Sequence, residues 1–319
     1  MRRGAGVAAV LAASLVPASA ARAQPAGDGA APTPPESPAR ATAPAPIPRR
    51  TEPAREVDAF AWRYPTFRTE EYVATGVFAG LAVVGQLLPT PEPRWSAGND
   101  LDGSVREALR LSSRSDRKTA DDASDLTLTL LLNHAGFDAV GVAWWGRGKG
   151  SVAYQMLAID AEAIALTAAV AAVSKGVAAR ARPFSVDCDG EADEADLCGD
   201  EDRHRSFISG HASTAFATAS LTCMHHAYLD LYGHPAADAA ACASAYGVAG
   251  ATSVLRVVSD NHHTTDVVAG AAVGTLIGLG VPWLLHYRHP LDETASSPTD
   301  ELSIRVIPGP TSATVLGTF

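Results

Sequence analysis

Apolar residues recur along this chain in six long stretches of helical length with few strand signals, at roughly 70–88, 125–145, 153–181, 209–231, 239–257 and 264–287. Small residues dominate them. The run Ala168-Ala169-Val170-Ala171-Ala172-Val173, for example, lets helix backbones approach closely. The expected fold is all-α, a bundle of about six core helices. Two polar connections interrupt the pattern. Residues 89–124 are mixed in charge and read as a partly helical surface excursion, and residues 184–206 carry nine acids. In the tail, Ile304-Arg305-Val306-Ile307, a break at Gly309-Pro310 and a second run from Ala313 to Phe319 predict a short β-hairpin. No internal repeat is present.

The chain begins differently. Met1-Arg2-Arg3, an apolar run from Val7 to Ala20 and the small-x-small triplet Ala21-Arg22-Ala23 have the form of an export leader. A retained membrane anchor is the alternative. Residues 24–56 hold nine of the 21 prolines and are expected to be a disordered, extended tether. The expected partition is a leader over 1–23, a Pro/Ala-rich linker over 24–56, a helical domain over 57–290 and a C-terminal tail over 291–319.

Composition narrows the partners. Seven Arg against four acids in residues 1–56 leave the rest of the chain at −13, within a formal total of −10. An acidic body without a basic stripe argues against nucleic acid. Export permits disulfides, and the four cysteines fall into two candidate pairs, Cys188 with Cys198 and Cys223 with Cys242. Val267 to Leu285 is 19 residues without a charge, long enough to cross a bilayer. Asp160, Glu162, Asn133, His134 and Asp138 are costly in lipid unless they face the bundle interior. If a leader were removed and all six stretches crossed, the third would end in the cytoplasm, beside cysteines that suit an oxidising compartment. A periplasmic bundle, soluble or membrane-associated and not spanning with all six helices, reconciles these signals.

Three islands carry chemistry. Lys175 and Arg182, seven apart and followed by Pro183, would share one helical face. Alone this is an ordinary basic helix end. In Ser206-Phe207-Ile208-Ser209-Gly210-His211-Ala212-Ser213, Ser209 is a natural N-cap and Gly210 allows close backbone approach. His211 then stands in the first turn, where an anion would bind. Alone this could be a plain capping turn. Arg256, His262 and Asp266 form the third. His262 and Asp266, four apart, would be helix neighbours, the carboxylate orienting the ring so that its other nitrogen can attack. Arg256 could clamp phosphate with its planar fork. His263, His225, His226 and His134 read as structural. No phosphate-cradling P-loop occurs and no metal-ligand spacing of the His/Cys type is evident.

Taken in order, the islands resemble the signature of the type 2 phosphatidic acid phosphatase and vanadium haloperoxidase superfamily, K-x6-RP, PSGH and SR-x5-H-x3-D. Lys175, Arg182 and Pro183, then Ser209, Gly210 and His211, then Arg256, His262 and Asp266 match it. Ile208 stands where the family usually has Pro, and Leu255 where it has Ser. The resemblance spans about residues 70–287 and implies an all-α bundle. It also implies His262 as nucleophile, Asp266 as its orienting group and His211 as general acid and base. Lys175, Arg182, Ser209, Gly210 and Arg256 would hold the phosphoryl oxygens, with no cofactor, no metal and vanadate as inhibitor.

The expected function is thus a metal-independent phosphatase acting on a phosphorylated lipid or a small phosphoester, the lipid slightly favoured. Haloperoxidase chemistry on bound vanadate and a catalytically inactive lipid-binding bundle are the rival readings.

Overall fold

Alanine is the best helix former and costs nothing in side-chain entropy, so the Ala-rich runs carry long helices. The computed structural model describes residues 60–89, 94–95, 98–189, 198, 201–291, 303–308 and 313–318. The expected leader and tether, and most of the acidic stretch 190–200, lie outside the described residues. Among the described residues seven long α-helices follow one another: α1 Thr69–Leu87, α2 Asp100–Leu109, α3 Arg114–Phe137, α4 Gly150–Ala178, α5 Gly210–Leu229, α6 Pro235–Val258 and α7 Thr264–Pro282. Helix α3 runs on into a π-helical segment, Asp138–Gly146, and α7 into another, Trp283–Tyr287. In the tail, β1 Ser303–Pro308 and β2 Ala313–Thr318 pair antiparallel.

Helix α5 is the centre of the bundle, packed by α7, α6, α4 and α3, while α1 lies along α4. The α5–α7 contact is backbone on backbone. A Cβ placed on Gly274 would overlap the Ser213 carbonyl oxygen, and one on Gly278 would overlap that of Ala217. Glycine every fourth residue (Gly270, Gly274, Gly278) removes that obstacle. The consequence is positional: the starts of α5 and α7, which carry the second and third islands, are drawn side by side. The Ser209 N–H donates to the Asp266 carbonyl at 3.1 Å and fixes the join. A disulfide between Cys223 and Cys242 ties α5 to α6, and Cys188 is joined to Cys198.

Several expected boundaries move. Helix α3 begins at Arg114, so eleven residues assigned to the polar excursion are helix, capped by the Ser113 side chain. They are polar because their inner face meets the site and not the apolar core. Helix α4 stops at Ala178, where Ala179 adopts a left-handed conformation (φ 42°). Lys175 and Arg182 therefore do not share a helical face.

Among the described residues, four helical stretches are long and apolar enough to cross a membrane: Arg114–Gly146, Gly150–Ala178, Pro235–Val258 and Thr264–Tyr287. Large apolar side chains project outward from several helices, Leu87, Leu130, Val177 and Leu276 among them. The exposed Trp144, Trp145 and Trp283 sit at the helix ends remote from the islands.

Candidate active site

The three islands converge at one end of the bundle, at the close of α4 and α6 and the start of α5 and α7. Ser209 caps α5 as expected, its hydroxyl accepting from the Ala212 N–H at 3.4 Å. Gly210 is the first helical residue, and the Lys175 ammonium lies 3.5 Å from where a Gly210 side chain would begin. Arg182 leaves α4 behind and crosses towards α7. Its guanidinium donates to the Asp202 carbonyl at 2.9 Å and to the Asn261 side chain at 3.2 Å. Arg256, on the last turn of α6, is paired with Asp121 and donates to Ser124 at 3.1 Å, both on α3.

His262 is not on a helix. Helix α7 starts at Thr264 with His263 as its N-cap, and the Asp266 carboxylate folds back to accept the His263 N–H at 3.0 Å. The expected i, i+4 helical pair is replaced by this capping loop, which still points Asp266 Oδ2 at His262 Nδ1 across 3.7 Å. That gap exceeds a hydrogen bond. Catalytic contacts are often long before substrate binds and tighten afterwards. Burial holds the His262 imidazole well below its usual pKa; Arg182 and Arg256 push the same way, and Asp266 opposes them. Burial thus favours the neutral form of the ring.

His211 lies near the same cations. Burial and Arg256 lower its pKa, and Asp125, 2.6 Å from its Nε2, raises it. A fixed carboxylate on Nε2 leaves Nδ1 as the ring nitrogen available to an incoming group. His263 is buried, its Nε2 3.2 Å from the Ala181 carbonyl oxygen, and serves structure, as its position in sequence suggests. His225 and His226 are likewise held in buried pairs, with Asp160 and with Asp138 and Asp238.

Four supporting side chains have no role assigned to them by the sequence pattern, although Ser206 lies within the second island. Arg180 is wholly buried between Asp266 and Asp102, at 2.5 and 2.7 Å. The Ser206 hydroxyl donates to Asp266 Oδ2 at 2.5 Å. Asp125 and Asp121, on the polar start of α3, partner His211 and Arg256. Arg180 stands two residues before Arg182 and could have been singled out on that ground. The α3 acids could not, since 86 residues separate Asp125 from His211.

Beside the site an apolar cavity of about 500 Å³ opens between α1, α3, α4 and α5. Ala82, Leu87, Leu128 and Ala172 contribute to its wall, and Lys175, Gly210 and His211 line it as well.

A family model described as the PAP2 superfamily matches residues 157–290. A curated lipid A 1-phosphatase of Porphyromonas gingivalis is 30% identical over 195 residues, 60% of this chain. The match spans 37% of that relative, so this chain corresponds to little more than a third of its length. A solved structure, a transmembrane PAP2-type phosphatidylglycerolphosphate phosphatase from Bacillus subtilis, covers 68% of this chain and 96% of its own. It is 16% identical, with a TM-score of 0.43.

Proposed function

From the match of residues 157–290 to the PAP2 superfamily model, we propose that this chain is a lipid phosphatase that works through a covalent phosphohistidine, without a metal in the reaction. The observation that carries the lipid reading is the 500 Å³ apolar cavity lined also by Lys175, Gly210 and His211. A phosphate held by Lys175 would leave its substituent lying along alanines and leucines, which suits an acyl or prenyl chain and offers nothing to a sugar or nucleoside. The name of the P. gingivalis relative points to the same substrate class.

In the reaction, phosphate enters between the cations and the N-terminus of α5, whose free N–H groups favour an oxyanion. Lys175, Arg182 and Arg256, with Ser209 and the Gly210 backbone, hold its oxygens. His262 Nε2 attacks phosphorus in line, while Nδ1–H is drawn to Asp266. His211 gives a proton to the leaving oxygen, then takes one from the water that cleaves the phosphohistidine. The cations offset charge that grows in the transition state, which is where most of the rate enhancement arises.

The outward apolar side chains and the four long helices support membrane association, and the two disulfides suit a chain exported to an oxidising compartment. The direct test is phosphate release from lipid phosphates presented in mixed micelles against soluble phosphomonoesters of equal leaving-group pKa. A kcat/KM at least about tenfold higher for the lipids is expected, a difference of about 1.4 kcal/mol in transition-state binding. Equal rates would remove the lipid assignment, and no release from either would remove the phosphatase.

A further inference from the structure

Far from the proposed phosphate site, three buried side chains from three elements bring acceptor atoms close together. Glu71 in the first turn of α1, Glu162 in α4 and His286 in the turn after α7 are 3%, 4% and 0% exposed. One oxygen or nitrogen of each lies within 4.8 Å of the other two. Glu162 precedes Lys175 by thirteen residues on α4, about 20 Å along the helix. This is a separate place.

The protons there do not add up. His286 Nδ1 lies 2.9 Å from the Pro65 carbonyl oxygen, so Nδ1 carries the hydrogen and Nε2 keeps its lone pair. That lone pair faces Glu71 Oε1 at 3.2 Å. Glu71 Oε2 is already satisfied by the Arg68 N–H at 2.6 Å and by Arg68 Nε at 3.0 Å. Glu71 Oε1, Glu162 Oε2 and His286 Nε2 are each buried without a hydrogen bond. Three acceptors facing one another in a dry interior repel unless something positive lies between them.

We infer that Glu71, Glu162 and His286 form a divalent-cation site of the zinc class, which ties α1 and the end of α7 to α4. One imidazole nitrogen and two carboxylate oxygens suit zinc, with a fourth position left for water. Two donors each about 2.0–2.1 Å from a tetrahedral centre stand about 3.3 Å apart, close to the 3.2 Å between Glu71 Oε1 and His286 Nε2. The supports have the form that metal ligands need: a ring N–H fixed on a carbonyl, and a carboxylate whose other oxygen is held by Arg68. Two carboxylates balance a doubly charged ion. The role is structural, since the site lies remote from the phosphate.

The test uses the untagged full-length chain in detergent, dialysed against chelator, reloaded with zinc chloride and passed through a desalting column. Bound zinc is counted by mass spectrometry and thermal unfolding is followed. Wild type and His262→Ala should each retain one zinc per chain and unfold at higher temperature when loaded. Glu162→Gln and His286→Gln should lose both effects. Cobalt-loaded wild type should show the strong visible bands of a four-coordinate ion, a reading that stands even if a variant fails to fold. Wild type that holds no zinc and whose unfolding ignores it would mean that the cluster holds protons only. Full retention of zinc by Glu162→Gln would likewise overturn the assignment.

Discussion

Arg180 Nη1 lies 2.5 Å from Asp266 Oδ1, and neither side chain has any solvent exposure. Its second terminal nitrogen holds Asp102, whose carboxylate in turn accepts the Thr265 N–H at 2.9 Å. Arg180 thus fixes the carboxylate that faces His262 and pins the start of α7 to α2. Removing one partner of a buried pair strands the others, which costs about 3–5 kcal/mol. Arg180→Met should lower unfolding stability by about that much in denaturant titration. Arg180→Lys keeps the charge but not the fork and should recover only part of it. A loss below about 1 kcal/mol for Arg180→Met would show that Asp102 and Asp266 find other partners.

The two site histidines should fail in different ways. His262→Ala should abolish turnover and leave no acid-labile phosphoenzyme on rapid quench. His211→Ala should slow alkyl phosphates by about 10²–10⁴-fold, the usual worth of a general acid. With p-nitrophenyl phosphate, whose leaving group scarcely needs a proton, the first step should be partly spared and phosphohistidine should accumulate. Phosphoenzyme formed by His262→Ala would reverse the roles.

The pH profile follows from the same two rings. His211 must be protonated to act as acid, and its pKa is lowered from 6.5 by burial and by Arg256. Activity on alkyl phosphates should therefore fall on an alkaline limb that lies below the usual imidazole range, giving an acidic optimum. His262 is depressed further, so its protonation limits the rate only at still lower pH. Asp125 raises the pKa of His211, so Asp125→Asn should move the alkaline limb to lower pH. A limb that stays in place, measured as kcat/KM against pH, would show that another group sets it.

Catalysis should continue when EDTA is added to the assay and stop with vanadate, whose five-coordinate form resembles the transition state. Glu162→Gln, corrected for folded fraction, should turn over at the wild-type rate. Immediate loss with EDTA, reversed by a divalent metal, would place a metal in the reaction.

Gly274 tests the contact that brings the islands together. A side chain there would run into the Ser213 carbonyl oxygen, and backbone cannot yield as a flexible side chain can. Gly274→Ala should cost about 1–3 kcal/mol, in the range of overpacked cores. It should also lower kcat by separating His211 from His262. The control is Gly280 on the same helix, whose Cβ would meet nothing within 4 Å. Gly280→Ala should leave kcat where it is and keep stability or raise it by up to about 1 kcal/mol, the helix preference for alanine over glycine. A Gly274→Ala protein as stable and as active as the control would show that α5 and α7 can move apart without disturbing the site.

What the sequence alone determined is the local part. Period and composition set the helices, because alanine and leucine have high intrinsic helix propensity and the apolar runs are too long for strands. The cap at Ser209 was legible because capping is read within a few residues, and the motif residues were legible because their order along the chain is itself the signal. Tertiary structure decided everything that depends on which helices meet. Just past the close of α4 at Ala178, Arg180 enters a buried pair with Asp102 and Asp266, 78 and 86 residues away. Asp125 beside His211 exists only because α3 packs on α5. Glu71, Glu162 and His286 are an ordinary acid, an expensive acid and a histidine near a helix end until three elements bring them to one point. Local propensity acts over a few residues. Charge pairing in a dry interior acts across whatever the fold brings near, and no spacing along the chain records it.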